Sequence, residues 1–329
     1  MSHPFSARRL LLPLVPLYRA ALAFREFRLH TGMEPVRRLR FPVVSIGNLS
    51  TGGSGKTPLT IALAKLLIGK GFHVGVLSRG YGRQSKLAAR VNPEGTAEEF
   101  GDEPLLIARE TGVSVYVAPQ RYEAGVLAEA EMSEAIQRRV HLLDDGFQHR
   151  QLTRNVDILL LDRSDWRDRL LPAGNLREPL RSASRASVIA IPAGEAEMEA
   201  ELRTWGWQGP VWRLRRTMEV PAVVGPVAPF CGIARPEQFF AGLESTGLRL
   251  AARTTFPDHH RYTAADLDRL VATARSSGAT ALVTTDKDLV RLERLAASLP
   301  ASLPIKTAHL RIEIEDQDAA VEWLLTRIR

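Results

Sequence analysis

The stretch Ser50-Thr51-Gly52-Gly53-Ser54-Gly55-Lys56-Thr57 constrains this chain more than any other segment. An apolar run, Phe41 to Ile46, leads into it through Gly47, and reads as a buried parallel strand. Behind it, Pro58 sits where the first turn of a helix accepts it, and Leu59, Ala62, Leu63, Leu66 and Leu67 give that helix an apolar stripe ending near Gly71. His73 to Leu77 is the next strand, which completes a strand–loop–helix–strand unit. The glycines allow the loop to curl so that successive N–H groups face phosphate oxygens, and the helix N-terminus adds its positive end. In such a cradle Lys56 reaches the β- and γ-phosphates and the Thr57 hydroxyl binds Mg²⁺. One departure from G-x-x-x-x-G-K-[ST] is Ser50 at the first glycine position, with Gly52-Gly53 as compensation.

Strand-like and helix-like runs continue to alternate. Helices are expected at 103–110 and 121–134, strands at 113–118, 140–143, 158–161 and 188–191. This predicts an α/β fold with a P-loop NTPase-like, mostly parallel sheet flanked by helices. Pro221, Gly225, Pro226 and Pro229 crowd together and mark a boundary. The expected division is an N-terminal segment 1–35, a kinase-type domain 36–218 and a smaller α/β domain 219–329. In the last of these, Thr263 with Asp266 forms a capping-box-like helix start.

Of the net charge of +7, residues 1–40 carry almost all: eight arginines against Glu26 and Glu34, a net +6. A nucleic-acid binder spreads a basic face over its folded domain, so no nucleic acid is expected. A single cysteine, Cys231, excludes an internal disulfide and fits a reducing compartment. The segment Leu10 to Leu29 is too interrupted by Pro13, Pro16 and Arg19 to span a bilayer. Three readings stay open for it. It is a signal peptide with Ala21-Leu22-Ala23 as cleavage site, an interfacial segment meeting anionic headgroups, or a helix packed on the protein's own core. On a helical wheel Arg25 and Arg28 fall near its apolar side.

Further candidates carry acid–base or phosphate chemistry. Val140 to Leu143 ends in Asp144-Asp145-Gly146, an apolar strand delivering carboxylates to the ligand edge of a sheet, where an acid holds Mg²⁺. Read alone, it is equally a strand-end turn. Asp102, in Gly101-Asp102-Glu103-Pro104, is a helix cap or a general base. Asp258-His259-His260 suits proton transfer. Arg177, in Leu176-Arg177-Glu178-Pro179, is a loop arginine or a bidentate phosphate partner. His149 reads equally as a surface histidine. Thr284-Thr285-Asp286-Lys287-Asp288 reads as a helix cap with solvated charges.

In order along the chain stand Ile46-Gly47-Asn48 with the phosphate loop, Ser78-Arg79-Gly80-Tyr81-Gly82, Gly101-Asp102-Glu103-Pro104, Asp144 to His149, Leu176 to Pro179 and Asp258-His259-His260. This series resembles the tetraacyldisaccharide 4′-kinases, the lipid A 4′-kinases of Gram-negative bacteria. The resemblance implies transfer of the γ-phosphate of ATP to the 4′-hydroxyl of a tetraacyldisaccharide 1-phosphate. By the same resemblance Asp102 is the base, a histidine of the 259/260 pair, taken as His259, orients it, and Lys56 and Arg177 stabilise phosphate charge. Thr57 with Asp144 and Asp145 handles Mg²⁺. The substrate stays in the bilayer, so the N-terminus becomes an amphipathic membrane-docking helix at the cytoplasmic face of the inner membrane, with no obligate protein partner. The rival readings are a soluble P-loop small-molecule kinase and a non-enzymatic P-loop switch.

Overall fold

The computed structural model describes residues 8–53, 55–131 and 137–328. Ser54 of the phosphate loop and the end of the helix expected to reach residue 134 lie outside them. The strands are β1 (Val43–Asn48), β2 (His73–Ser78), β3 (Ala89–Arg90), β4 (Ser114–Val117), β5 (Arg139–Asp144), β6 (Val156–Leu160), β7 (Val188–Pro192), β8 (Val211–Glu219), β9 (Val227–Cys231), β10 (Thr254–Thr255), β11 (Ala281–Thr285) and β12 (Ile305–Ile314). Among the described residues they make one sheet, ordered β10-β9-β11-β12-β8-β7-β6-β1-β5-β2-β4-β3. All neighbours run parallel except β3 with β4 and β12 with β8. The fold is thus the mostly parallel, helix-flanked α/β sheet that the alternation implied.

Parallel pairing brings the chemistry to one edge. β1 lies between β5 and β6, with Ile46 opposite Asp144 and Asn48 opposite Leu160. The loop leaving β1 and the acids leaving β5 therefore emerge side by side, about 4.8 Å apart in the pairing direction. β2 pairs with the other side of β5. Gly47 permits this crowding: a Cβ there would stand 2.5 Å from the Cβ of Phe147, which follows the acids.

The helix Lys56–Gly69 differs from the single stripe expected. It buries Thr57, Thr60, Ile61 and Ala64 as well as Leu59, Leu63 and Leu67. It is sandwiched, because Leu105 and Leu106 of the helix Asp102–Thr111 and Ile312 of β12 share its apolar cluster. Each fully buried aliphatic side chain there stabilises by about 1.5–3 kcal/mol.

At the other end of the chain, the helix Val15–His30 lays Val15, Tyr18 and Leu22 against a cluster built on Leu159, Leu170, Leu176 and Met198. Leu17, Phe24 and Phe27 point outward, 70%, 59% and 55% exposed. Among the described residues no helix is long and apolar enough to cross a membrane.

Candidate active site

The phosphate loop is built on backbone geometry that explains its departure from the usual motif. The left-handed conformations fall on Gly52 (φ +104°) and Gly55 (φ +92°), not on Ser50. Ser50 is instead a buried bridge residue, paired antiparallel with Leu176. A serine is therefore tolerated where other loops carry glycine. Thr51 N–H donates to the Asn175 carbonyl at 2.8 Å, and Arg177 N–H to the Leu49 carbonyl at 2.7 Å. The segment carrying Arg177 is in this way stitched to the loop.

Lys56 opens the helix. Its Nζ lies 3.0 Å from Asn48 Oδ1 and 3.5 Å from Asp145 Oδ1. Arg177 Nη1 approaches Asp145 Oδ2 at 2.9 Å. Thr57 is buried at the same helix start. Burial by itself raises the Asp145 carboxyl, but the Lys56 and Arg177 charges overcome it and hold the group at about 2. Asp144 behaves oppositely. It is buried and accepts from Thr60 Oγ1 at 3.0 Å. Burial first, then the neighbouring Glu103 and Asp145 charges, push it up to about 7. Two adjacent carboxylates thus sit in different electrostatic settings, one neutralised by cations and one lacking enough of them.

The third group is assembled from distant chain segments. Asp102 begins the helix Asp102–Thr111 and is 5% exposed. His259 Nδ1 lies 3.0 Å from Asp102 Oδ2, and Arg291 Nη2 lies 2.7 Å from the same oxygen. Burial raises the Asp102 carboxyl, yet the His259 hydrogen bond and the Arg291 and Lys287 charges hold it well below the carboxylate range. The same hydrogen bond raises His259 against the opposing effect of burial. His260 turns away: it meets Asp266 at 3.0 Å and stacks on Phe256. Of the two adjacent histidines, His259 is the one brought to Asp102. Among the described residues, Asp145 (φ 52°) and His259 (φ 58°) are the non-glycine residues in the left-handed region, where strain is characteristic of working sites.

The reading of 284–288 as solvated charges is overturned. Lys287 pairs with Glu103. Asp288 is buried and accepts from Tyr262 Oη at 2.8 Å, Gly232 N–H at 3.0 Å and Arg291 Nη1 at 3.0 Å. The tail after Tyr262 therefore supplies Lys287 and Arg291 to the site. Their signal in the sequence was only the four-residue spacing of Lys287 and Arg291 on a short helix. His149 is half-buried near Arg121, and burial followed by that charge lowers it to about 3, so its ring is neutral.

Lys56, Thr57, Asp144, Asp145, Arg177, His259 and Lys287 border one cleft of about 1290 Å³, which also reaches Tyr18 and Arg25 of the N-terminal helix; Asp102 lies behind its wall against His259. A cation-lined phosphate loop, an acid pair whose Asp144 is buried, and His259 of the Asp–His pair share it. That combination suits phosphoryl transfer to an acceptor hydroxyl.

Known proteins similar to this chain share one family. A family model described as tetraacyldisaccharide-1-P 4′-kinase matches residues 7–329. A tetraacyldisaccharide 4′-kinase of Koribacter versatilis is 42% identical over 324 residues, covering 95% of this chain and 97% of the relative. One from Anaeromyxobacter dehalogenans (strain 2CP-C) is 40% identical over 317 residues, covering 88% and 82%. The crystal structure of LpxK from Aquifex aeolicus in complex with ATP superposes with a TM-score of 0.76 at 33% identity, covering 98% of this chain and 100% of that one. Similarity at this level, sustained from residue 7 to residue 329, means that the chain belongs to the tetraacyldisaccharide-1-P 4′-kinase family.

Proposed function

We propose that the cleft performs the family's reaction with Asp102 and His259 as the proton-accepting pair and with Lys56, Thr57, Asp144, Asp145 and Arg177 handling phosphate and metal. The chain is an ATP-dependent kinase of lipid A biosynthesis, acting on the 4′-hydroxyl of a tetraacyldisaccharide 1-phosphate. The observation that carries the site assignment is the 3.0 Å contact of Asp102 with His259, a residue that lines the same cleft as the phosphate loop.

Amides of residues 50–57 wrap the triphosphate, with Lys56 and Arg177 against its charge. As the sugar hydroxyl attacks, its proton passes to the Asp102–His259 pair. Arg291 fixes the carboxylate and His259 shares the proton, so the pair acts as one unit. A placed acceptor of this kind contributes about 10²–10⁴-fold. The donor set fits Mg²⁺: hard carboxylate and hydroxyl oxygens, with Asp144 raised first by burial and then by nearby acids. Thr57, Asp144 and Asp145 would hold the ion, which supplies neutralisation of the charge developing on the phosphoryl oxygens.

We assign residues 36–218 and 219–329 to two domains facing each other across this cleft. Glu103 meets Lys287, and Asp102 meets His259 and Arg291, from opposite sides of that division. The N-terminal segment is read as the seat on an anionic cytoplasmic leaflet of the inner membrane. The net +6 of residues 1–40 and the exposed Leu17, Phe24 and Phe27 support that.

The test is transfer of label from γ-labelled ATP to the acylated disaccharide, with Asp102→Ala beside the native protein. Labelled product from the native chain and a kcat reduced at least a hundredfold in the variant are expected. An unchanged kcat would remove the acceptor role from Asp102.

A further inference from the structure

We propose that the helix Val15–His30 is a strut that positions Arg177 and the phosphate loop, with Tyr18 and Arg25 as its positioning residues. This rests on the reading of Arg177 as a phosphate partner. The loop 168–178 has two sides. Its inner side is bonded to the phosphate loop through the Ser50–Leu176 bridge, Thr51 N–H to Asn175, and Arg177 N–H to Leu49. Its outer side is gripped by the N-terminal segment at three points. Tyr18 Oη donates to the Arg177 carbonyl at 2.8 Å. Arg25 Nη2 donates to Glu178 Oε1 at 2.6 Å. Arg8 Nη1 donates to Asn175 Oδ1 at 2.5 Å.

Glu178 makes the grip specific. It is 2% exposed, and its second oxygen accepts from Arg185 Nη2 at 2.6 Å. A buried carboxylate held between two guanidinium groups has one well-satisfied position, and losing either partner leaves one carboxylate oxygen without its donor. Arg177 is thereby fixed at both backbone polar groups, its N–H on Leu49 and its carbonyl on Tyr18, while its guanidinium faces Asp145.

The helix carries the residues for this at the required spacing. Val15, Tyr18, Leu22 and Arg25 fall on one face at helical intervals of three and four. Two of the four are polar, and these two are the ones that bond the loop. This accounts for Arg25 appearing on the wrong side of the helical wheel: it serves the protein, not the solvent. The substitution that interrogates the strut is consequently small, since the apolar contacts of Val15 and Leu22 remain.

The experiment uses the full chain with Tyr18→Phe, Arg25→Gln and Arg25→Lys, and repeats Tyr18→Phe in an Arg177→Ala background. Phosphate transfer is measured in detergent micelles, with KM for ATP and for the acylated disaccharide determined separately. Unfolding midpoints confirm that Tyr18→Phe is folded. Kcat should fall about tenfold in Tyr18→Phe, the order expected for losing one positioning hydrogen bond. KM for the lipid should stay unchanged, and Arg25→Lys should recover part of the loss in Arg25→Gln. In the Arg177→Ala background the Tyr18→Phe effect should vanish. An unchanged kcat, an effect confined to the lipid KM, or a full effect persisting without the Arg177 guanidinium would each overturn the strut. Full activity of Arg177→Ala itself would overturn the underlying phosphate role, and the strut with it.

Discussion

Arg291 Nη2 lies 2.7 Å from Asp102 Oδ2, both side chains almost fully buried, though they stand 189 residues apart. The contact joins the start of the helix Asp102–Thr111 to the helix Asp286–Leu292. Arg291 also bonds the Gly232 carbonyl and Asp288, so it is the hub through which the C-terminal part of the chain holds Asp102 in place.

Arg291→Met should therefore damage both stability and catalysis. Removing one partner of a buried ion pair leaves Asp102 with only His259 and Lys287, and Asp288 with only neutral donors, which costs about 3–5 kcal/mol. Denaturant unfolding checks this, with Arg291→Lys losing less. A loss under about 1 kcal/mol would mean that water replaces the guanidinium.

The pH profile follows from His259. Its hydrogen bond to Asp102, joined by the charges of Asp102 and Asp258, raises it above the ordinary imidazole value. The pair must be unprotonated to accept the hydroxyl proton, so kcat should rise with pH through an apparent pKa above about 6.5. Asp258 Oδ1 lies 4.0 Å from His259 Nε2 and also caps the His259 N–H at 3.0 Å. Asp258→Asn keeps the cap and removes the charge, so the acid limb should move to lower pH with the plateau retained. A limb that stays in place would separate it from His259.

The parts of the site that rest on local pattern were legible beforehand. The phosphate loop lies between a buried strand and a helix, and Asp144 ends, with Asp145 following, a wholly buried strand whose centre is apolar; both have short-range signatures. β8 and β12 carry no continuous apolar run. In Val211-Trp212-Arg213-Leu214-Arg215, Trp212 and Leu214 are buried while the arginines face outward, the pattern of a half-buried antiparallel strand. That pair is what carries the sheet on from β7 to β11 and β9. Lys287 and Arg291 were missed for a different reason. Lys287 stands between two acids and Arg291 between Val290 and Leu292, so neither sits in a local motif, and only the tertiary fold shows that Glu103 and Asp102 are their partners. Arg25 was visible as an anomaly on its wheel but not as a ligand of Glu178, because Glu178 is far away in sequence.

Within the phosphate loop, two glycines should respond differently. At Gly55 a Cβ would stand 2.8 Å from Ile312 Cδ1, on a backbone with φ +92°. Gly55→Ala should lose about 1–2 kcal/mol from the left-handed conformation alone, and ATP binding should weaken because the helix start moves. Gly53 is outside the left-handed region and a Cβ there meets nothing within 4 Å. Gly53→Ala should keep its stability. Thermal unfolding with and without ATP reports both; equal effects would show that the loop's shape is not set by Gly55.

Membrane seating is tested on the outward face of the N-terminal helix, which the protein's own core leaves uncovered. Leu17, Phe24 and Phe27 are more than half exposed, whereas Val15, Tyr18 and Leu22 are packed inward. Replacing the outward three by serine leaves the packed side intact, so the fold and activity on micellar substrate should survive. Each apolar side chain entering lipid contributes on the order of 1.5–3 kcal/mol. The triple variant should therefore lose co-sedimentation with vesicles containing anionic lipid by at least a hundredfold in partition coefficient. The native chain should release progressively as salt screens its N-terminal arginines. If the triple variant sediments as the native chain does, the membrane contact lies elsewhere on the molecule, and the exposed face of this helix has another use.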